Sequence, residues 1–255
     1  MPKIDPEPGM PGYTEVADYV HATSLADWPA VGAWFRKLAG NLLDPTPEVE
    51  ALAREIAGEA ADDEAKLARL FDWVARKIRY VGLEFGVHGY KPYGVQATLD
   101  RRYGDCKDKA SLLRALLKVV GVEANLVLVR TRPKGRLHDD SASPAGFDHA
   151  IAYVPSLDRF IDPTAAWHSA WELPGADQGA SALVIGDAGV RRLELPILPP
   201  EANSFALLFD FPEAERDTFR GEILAVGVRA AELRERFAVP ATRDETLREM
   251  LGGEM

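Results

Sequence analysis

The only cysteine of the 255-residue chain, Cys106, is the residue best suited to covalent chemistry. It lies in the stretch GDCKDKASLLRALLKVVG, directly after Asp105 and at the start of a run of helix-forming residues. Asp105 is a preferred N-cap residue and Asp108 stands three positions later as its reciprocal partner, so the stretch predicts a helix from Cys106 to Val120. The unpaired N–H groups and the dipole at a helix N-terminus stabilise a thiolate, which is the nucleophilic form of cysteine.

A thiol nucleophile needs a base that removes its proton and later protonates a leaving amine, and histidine suits this work. Of the five histidines, His149 falls inside the alternating run FDHAIAYV, which predicts a β-strand that would fix its ring. The run RFIDPTA follows, and a turn over residues 155–158 would join both runs as an antiparallel hairpin. This hairpin would bring Asp162 within one or two residue pairs of His149, where its carboxylate could orient the imidazole. We therefore predict that Cys106, His149 and Asp162 form a catalytic set.

Each of these residues also has a purely structural interpretation. A lone cysteine is more often buried than catalytic, His149 could be a satisfied strand residue, and Asp162 could open a turn. Acyl transfer also needs oxyanion donors, for which the N–H of Cys106 is a candidate. Five side chains upstream are expected to pack or to form a groove wall rather than to donate: Tyr80, Tyr90, Tyr93, Gln96 and Tyr103.

The polar loop over residues 131–146 is about as long as functional lids become. His138, Asp139 and Asp140 within it could be taken for metal ligands. Consecutive hard ligands without a further cluster are more typical of a solvated loop, so we predict no metal site and no cofactor.

The surrounding sequence predicts the elements that hold these residues. Three helices precede Cys106, beginning near Ser24 or Asp27, at Glu48 and near Asp62 or Asp63, and an irregular aromatic-rich connection covers 81–99. Further strands are predicted at 124–130, 182–185 and 191–195. After Pro196, Pro199 and Pro200, strands at 205–211 and 218–226 and helices at 230–237 and 244–251 are predicted.

The overall composition limits the partners. Forty acidic against 30 basic residues give a net charge of −10, and without a basic patch this argues against binding to nucleic acid. No apolar run approaches the roughly 20 residues of a membrane helix, and the start MPKIDPEPGMPG lacks a hydrophobic signal core. We expect a soluble chain with no membrane span of its own. A single cysteine cannot form an internal disulfide, so the cysteine content does not indicate whether the protein works in an oxidising or a reducing compartment.

The stretches GDCKDKASLL, DHAIAYV and FIDPTA, with ARLFDWVARKIRYV and YGVQATLDRRYGDCKDKA, resemble the transglutaminase-like superfamily of papain-like thiol enzymes, in particular a bacterial branch. The resemblance runs from about Trp28 to Pro200. It implies an α+β fold in which N-terminal helices, including the nucleophile helix, pack on an antiparallel β-sheet. It also maps the nucleophile to Cys106, the base to His149 and the orienting carboxylate to Asp162.

The domain organisation follows from this resemblance. Residues 1–23 are predicted to be a linker or tail, 24–200 the transglutaminase-like core, and 201–255 an appendage that could open a β-rich domain. Proteins of the resembled branch commonly carry β-rich domains on both sides of the core and belong to secreted or membrane-attached chains. We therefore expect the chain to be part of a longer multidomain protein, periplasmic or membrane-attached.

We interpret the chain as a thiol-dependent acyl-transfer enzyme that acts on peptide or glutamine-type amide carbonyls through a thioester, with a peptide or protein as substrate. Hydrolysis of the thioester would make it a peptidase or amidase, which its acidic surface and the absence of an amine-guiding feature favour. Two alternatives stay open. One is a protein cross-linking transglutaminase, and the other is a non-catalytic module that binds peptides with the same fold.

Overall fold

The computed structural model describes residue 7 and residues 10–82, 84–137, 141–210 and 220–252. The chain divides into two compact units between Pro196 and Ile197. Three buried apolar clusters are found among the described residues, and all three belong to the first unit, which also holds the candidate site.

Among the described residues of the first unit, six α-helices precede its main sheet. They are α1 Tyr13–Val16, α2 Trp28–Ala39, α3 Pro47–Ala57, α4 Asp63–Lys77, α5 Val95–Arg101 and α6 Cys106–Val119. Asp27, Thr46 and Asp62 cap α2, α3 and α4, each accepting a hydrogen bond from the N–H three residues later. These caps satisfy N–H groups that have no partner within the helix, so the predicted helix starts are confirmed.

Five antiparallel strands form the main sheet of the first unit, in the order β5–β4–β3–β6–β7. Their bounds are β3 Asn125–Arg130, β4 His149–Val154, β5 Arg159–Ile161, β6 Ser181–Gly186 and β7 Gly189–Glu194. A separate parallel pair joins β1 Arg79–Tyr80 to β2 Tyr103–Gly104, immediately before α6. The predicted β4–β5 hairpin is present and turns at residues 155–158.

The core packs helices on one face of this sheet, which is the predicted α+β arrangement. Leu67, Leu70 and Phe71 of α4 are buried with the leucines of α6 against β4 and β5. Complete burial of one such side chain contributes about 1.5–3 kcal/mol. On β3, Leu126 and Leu128 belong to the cluster that contains Cys106, while the alternate valines join a cluster on the opposite face.

A buried lysine fixes α6 against α4. Nζ of Lys109 donates hydrogen bonds to the carbonyl oxygens of Ala75 (3.1 Å) and Ile78 (2.6 Å), at the C-terminal end of α4. A cation is favourable at this end of a helix, and the bonds satisfy carbonyl groups that lack helical partners. Burial lowers the pKa of Lys109 to about 8, although the charge of Asp162 opposes this effect.

The connection over 81–99 contains more regular structure than the sequence predicts. Gly86–Gly89 form a short 3₁₀-helix, and α5 covers Val95–Arg101. Seven residues make only two helical turns, too few for a repeating apolar pattern to appear in the sequence. Packing explains the helix instead, because Val95 and Leu99 are buried in the cluster that contains α4 and α6.

The N-terminal segment makes specific contacts within the first unit. Oγ1 of Thr14 donates to the carbonyl oxygen of Lys134 (3.1 Å), and Oε1 of Glu15 accepts from the N–H of Arg136 (3.0 Å). These bonds join α1 to the beginning of the loop that follows β3.

The second unit consists of a two-stranded antiparallel sheet and two helices within its described part. They are β8 Phe205–Asp210, β9 Arg220–Ala225, α7 Val228–Arg236 and α8 Arg243–Gly252. The predicted strand residues 211, 218 and 219 lie outside the described residues. No helix in the described part of the chain combines the length and apolar character needed to cross a membrane.

Candidate active site

The N-terminus of α6 carries the capping box that the sequence predicts. The Asp105 side chain accepts a hydrogen bond from the N–H of Asp108 (3.3 Å), and the Asp108 side chain accepts one from the N–H of Asp105 (3.3 Å). Cys106 is buried, with 7% of its surface exposed. As the first residue of the helix it has an N–H without an acceptor in the helix, so this group can serve as an oxyanion donor.

Asp108 also connects α6 to the segment before α5. Its Oδ1 accepts a hydrogen bond from the N–H of Tyr93 (2.8 Å). Gly104 makes room for this side chain, since a Cβ at position 104 would lie 2.6 Å from Cβ of Asp108. Burial and the charge of Asp105 raise the pKa of Asp108, although the hydrogen bonds that it accepts oppose this. The start of α6 is therefore held both by its own cap residue, Asp105, and by the segment that contains Tyr93.

His149 and Asp162 meet at the end of the β4–β5 hairpin, as predicted. Nε2 of His149 lies 3.2 Å from Oδ2 of Asp162. The strands pair Ala152 with Ile161, and continuing this register places Asp162 opposite Ile151. Asp162 is therefore a diagonal neighbour of His149 on the same face of the hairpin, a separation that long side chains can bridge.

The structure also brings His149 to Cys106. Both side chains line the same cleft, and Cys106 contributes to the raised pKa of His149. Because Nε2 faces Asp162, Nδ1 is the ring nitrogen available to the sulfur. Burial by itself lowers the pKa of His149, but the charge and hydrogen bond of Asp162 and the contact with Cys106 raise that pKa well above its ordinary value. The surroundings of the ring therefore favour its protonated form.

Asp162 is fixed from its other side by Thr164. Oδ1 of Asp162 accepts hydrogen bonds from the N–H (2.8 Å) and Oγ1 (2.7 Å) of Thr164. Burial by itself would raise the pKa of Asp162, but the charge and hydrogen bond of His149 and these two bonds lower it. The carboxylate is thus ionised and its orientation is fixed.

A third buried side chain, Asp177, lies beside this pair, and the sequence reasoning missed it. One oxygen each of Asp162 and Asp177 and a ring nitrogen of His149 all lie within 4.8 Å of one another. Burial, then the charge of Asp162, raises the pKa of Asp177 to about 7. Asp177 lies in the turn-rich stretch LPGADQGA, where no periodicity shows which way a side chain faces.

Cys106 and His149 line a cleft of about 540 Å³, a volume that includes its opening to solvent. Aromatic side chains form part of its walls, and Trp34 packs edge-to-face on Tyr90 with ring centroids 5.6 Å apart. Phe147 lines it from the segment before β4. The cleft therefore offers apolar surface beside Cys106 and His149.

The upstream polar side chains mostly pack, as expected. Tyr90 lines the cleft, whereas Tyr93 stacks on His88 with ring centroids 3.9 Å apart, and Gln96 bonds to Thr46 and Asp100. Tyr103 lies in the short strand β2. Tyr80 lies in β1, and burial, followed by the charge of Cys106, raises the pKa of its hydroxyl.

One group of potential metal ligands occurs among the described residues, and it consists of His149, Asp162 and Asp177. The loop residues His138, Asp139 and Asp140 lie outside the described part of the chain.

The chain is similar to known proteins in part of its sequence and in its fold. Residues 50–170 match the family model of the transglutaminase-like superfamily, a range that includes Cys106, His149 and Asp162 but not Asp177. The search of curated proteins finds no match. A candidate protease from Parabacteroides distasonis ATCC 8503 has a similar fold, with 16% identity over 69% of this chain and 36% of that chain and a TM-score of 0.51.

Two other solved structures match less closely. One is a candidate cysteine protease from Cytophaga hutchinsonii, with 19% identity over 49% of this chain and 42% of that chain and a TM-score of 0.34. The other is the periplasmic domain of TgpA from Pseudomonas aeruginosa, with 18% identity over 62% of this chain and 46% of that chain and a TM-score of 0.28. The chain spans less than half the length of each of these three structures.

Proposed function

Because residues 50–170 match the family model of the transglutaminase-like superfamily, we propose that the chain is a thiol-dependent acyl-transfer enzyme with Cys106 as nucleophile, His149 as base and Asp162 as orienting carboxylate. Its substrate is a peptide or glutamine-type amide, and water is the acceptor. The observation that carries this proposal is the single imidazole between the sulfur of Cys106 and the carboxylate of Asp162.

The geometry supports a two-step reaction. In the first step, the thiolate of Cys106 attacks the amide carbonyl carbon, and the N–H of Cys106 stabilises the oxyanion. The C–N bond then breaks, and the proton of the His149 ring passes to the leaving amine, which leaves a thioester. In the second step, His149 takes a proton from water, the hydroxyl attacks the thioester carbonyl, and the C–S bond breaks, which releases the acid product and restores the thiolate of Cys106 beside the protonated ring.

The raised pKa of His149 suits this sequence, because the ring begins the reaction protonated and can donate to the amine. Asp162 stabilises the charged ring and directs Nε2 away from the sulfur. Hydrolysis is favoured over amine capture because the cleft opens to solvent, which supplies water to the thioester. The acidic chain offers no amine-guiding feature that would favour the cross-linking alternative.

Alkylation of Cys106 by iodoacetamide tests the thiol activation without a known substrate. We expect the wild-type protein to react well below pH 8, and His149→Ala to lower the rate at about pH 6 by at least about tenfold, because the thiolate loses its positive partner. His88→Ala is the matched control, since His88 does not line the cleft. Equal rates in His149→Ala and wild type would instead support the peptide-binding module.

A second assay separates the reaction types. Glutamine-containing peptides are incubated with and without a labelled primary amine, and products are identified by mass spectrometry. We expect cleavage or deamidation that is lost in Cys106→Ser. Amine incorporation as the main product would support the cross-linking enzyme, and no product with any peptide would contradict catalysis.

A further inference from the structure

A buried carboxyl that takes no part in the reaction above lies against the candidate triad. Asp177 is 2% exposed, and one of its carboxylate oxygens lies within 4.8 Å of an oxygen of Asp162 and of a ring nitrogen of His149. Oδ2 of Asp177 is buried and has no hydrogen-bond donor beside it among the described residues. A buried ionised carboxylate without a donor is unfavourable, so this position needs an explanation.

The backbone holds Asp177 at this place. Its N–H donates to the carbonyl oxygen of Pro174 (3.0 Å), and its own carbonyl accepts from the N–H of Ala180 (2.9 Å). The N–H of Arg132, after β3, donates to the carbonyl oxygen of Ala176 (2.8 Å). The turn is therefore fixed both internally and by a neighbouring segment, and it presents the carboxyl to Asp162.

The charges around Asp177 favour its neutral form. The groups that face it are Asp162 after β5, His149 at the start of β4, and Asp148 just before β4. Two of the three are acidic, and the imidazole is already hydrogen-bonded to Asp162. The nearby Lys109 acts on Asp162 and donates to the carbonyl groups at the end of α4. Two adjacent buried carboxyls in such surroundings share one proton rather than both ionising.

We propose that Asp177 is a positioning residue of the candidate active site, which carries a proton, donates it in a hydrogen bond to Asp162, and so holds that carboxylate against His149. The inference rests on the proposed function, because Asp162 acts on the thiol of Cys106 only through the imidazole. A proton on Asp177 also explains how its Oδ2 can be buried without a hydrogen-bond donor beside it, because the carboxyl is then neutral. The two carboxyls then carry one negative charge, which balances the one positive charge of the ring.

This arrangement has a consequence for pH dependence. Burial and the charge of Asp162 raise the pKa of Asp177 to about 7. As the pH rises through this value, Asp177 loses its proton and a second negative charge faces His149. The second charge stabilises the imidazolium further, so the ring becomes a weaker acid toward a leaving amine.

The test measures the titration of the 255-residue chain by NMR, with ¹³C-labelled aspartate carboxyls and ¹⁵N-labelled histidine rings. We expect the Asp177 carboxyl to titrate near neutral pH and the ring of His149 to show an inflection at the same pH. In Asp177→Asn the inflection should disappear, because the amide donates to Asp162 at every pH. Titration of Asp177 below about pH 5, like an ordinary carboxyl, would overturn the proposal, and this wild-type measurement decides the matter even if a variant does not fold.

Alkylation of Cys106 gives the second readout. Below the inflection we expect Asp177→Asn to react within about twofold of the wild type and Asp177→Ala to react about tenfold more slowly, because only the alanine variant leaves Asp162 without its donor. Equal losses in both variants would overturn the proposal, since a merely structural role would not be rescued by asparagine. Binding of one equivalent of Zn²⁺ by the wild type, lost in Asp177→Asn, would also overturn it in favour of a metal site.

The two proposals fail in distinguishable ways. If the proposed function is wrong, His149→Ala leaves the alkylation of Cys106 unchanged while the coupled titration of Asp177 and His149 persists. If only the role of Asp177 is wrong, His149→Ala still slows alkylation but the inflection is absent from the wild-type titration.

Discussion

The charge of His149 links the chemistry of the site to the stability of the fold. The pKa of His149 is raised above its ordinary value of 6.5, so its pairing with Asp162 stabilises the folded state fully below that value. The stabilisation is lost as the pH rises through the higher pKa of the folded state. Asp162 behaves in the opposite sense, because its pKa is lowered below 3.8 and its contribution is lost only as the pH falls through that lowered value.

His149→Gln measures this contribution. We expect it to lower the free energy of unfolding by about 2 kcal/mol near pH 6, the range for a hydrogen bond to a charged group. The difference from the wild type should shrink as the pH rises, because the wild-type ring becomes neutral. Urea unfolding followed by circular dichroism between about pH 5 and pH 9 gives the loss of unfolding free energy and its dependence on pH.

Glu50→Gln is the control, since it removes an exposed ion pair with Arg54 (2.9 Å) on the surface of α3. Its effect should stay within about 0.5 kcal/mol, as for most exposed pairs. A His149→Gln difference that does not change with pH would show that the ring contributes through packing rather than through its charge.

Single residues were predictable from the sequence where a regular element fixes their direction. Cys106 follows a recognisable cap, and the register of a short hairpin brings Asp162 to His149. Asp177 has no such support, because its direction depends on turn geometry and on a backbone bond from Arg132, which lies far away in the sequence. Its raised pKa arises only once three separate segments have come together.

At the scale of elements, the start of α6 is the most constrained part of the site. Asp108 accepts hydrogen bonds from Asp105 at the helix start and from Tyr93 in the preceding connection. Gly104, the last residue of β2, packs directly on the Asp108 side chain. Close packing requires a glycine at this position, because only a residue without a side chain lets β2 and α6 approach so closely.

Gly104→Ala should therefore disturb the site through the helix start. The added methyl group would lie 2.6 Å from Cβ of Asp108, and we expect a loss of about 1–3 kcal/mol in unfolding free energy, as for other overpacked positions. Alkylation of Cys106 should slow as well, because the displaced Asp108 no longer closes the capping box.

Gly82→Ala is the matched control, since it lies just after β1 and its added Cβ would meet nothing within 4 Å. Urea midpoints and alkylation rates of both variants provide the comparison. If Gly104→Ala were as stable and as reactive as Gly82→Ala, the close contact with Asp108 would have no role in the site.

Elements with strong local signals were predictable, and those made by packing were not. The caps Asp27, Thr46 and Asp62 mark the starts of three helices. The helix α5 has no side-chain cap and only seven residues, so its stability comes from Val95 and Leu99 in the core. The same reason applies to β1 and β2, whose two-residue pairing is too short to leave a pattern.

At the scale of the whole molecule, every residue assigned to the candidate site belongs to the first unit. The cluster of α3, α4 and α6 packs around the later part of α6, and the cluster that contains Phe35 and Leu183 also contains Cys106 at the start of α6. A third cluster covers the far face of the sheet and includes Leu173 and Leu195. These clusters provide the sheet with apolar cover on both faces before Pro196.

A chain that ends at Pro196 tests whether this unit is sufficient. We expect residues 1–196 to unfold cooperatively in urea and to show the same pH profile of Cys106 alkylation as residues 1–255, within about twofold, because the capping box, the β4–β5 hairpin and Asp177 all lie before the cut. A chain that ends at Gly186 is the control, since it deletes β7, the sheet neighbour of β6, and should fail to unfold cooperatively. Loss of alkylation at low pH in the 1–196 chain, with its cooperative unfolding retained, would mean that the second unit contributes to the site. In that case the reactivity of the sulfur would depend on residues beyond His149, Asp162 and Asp177.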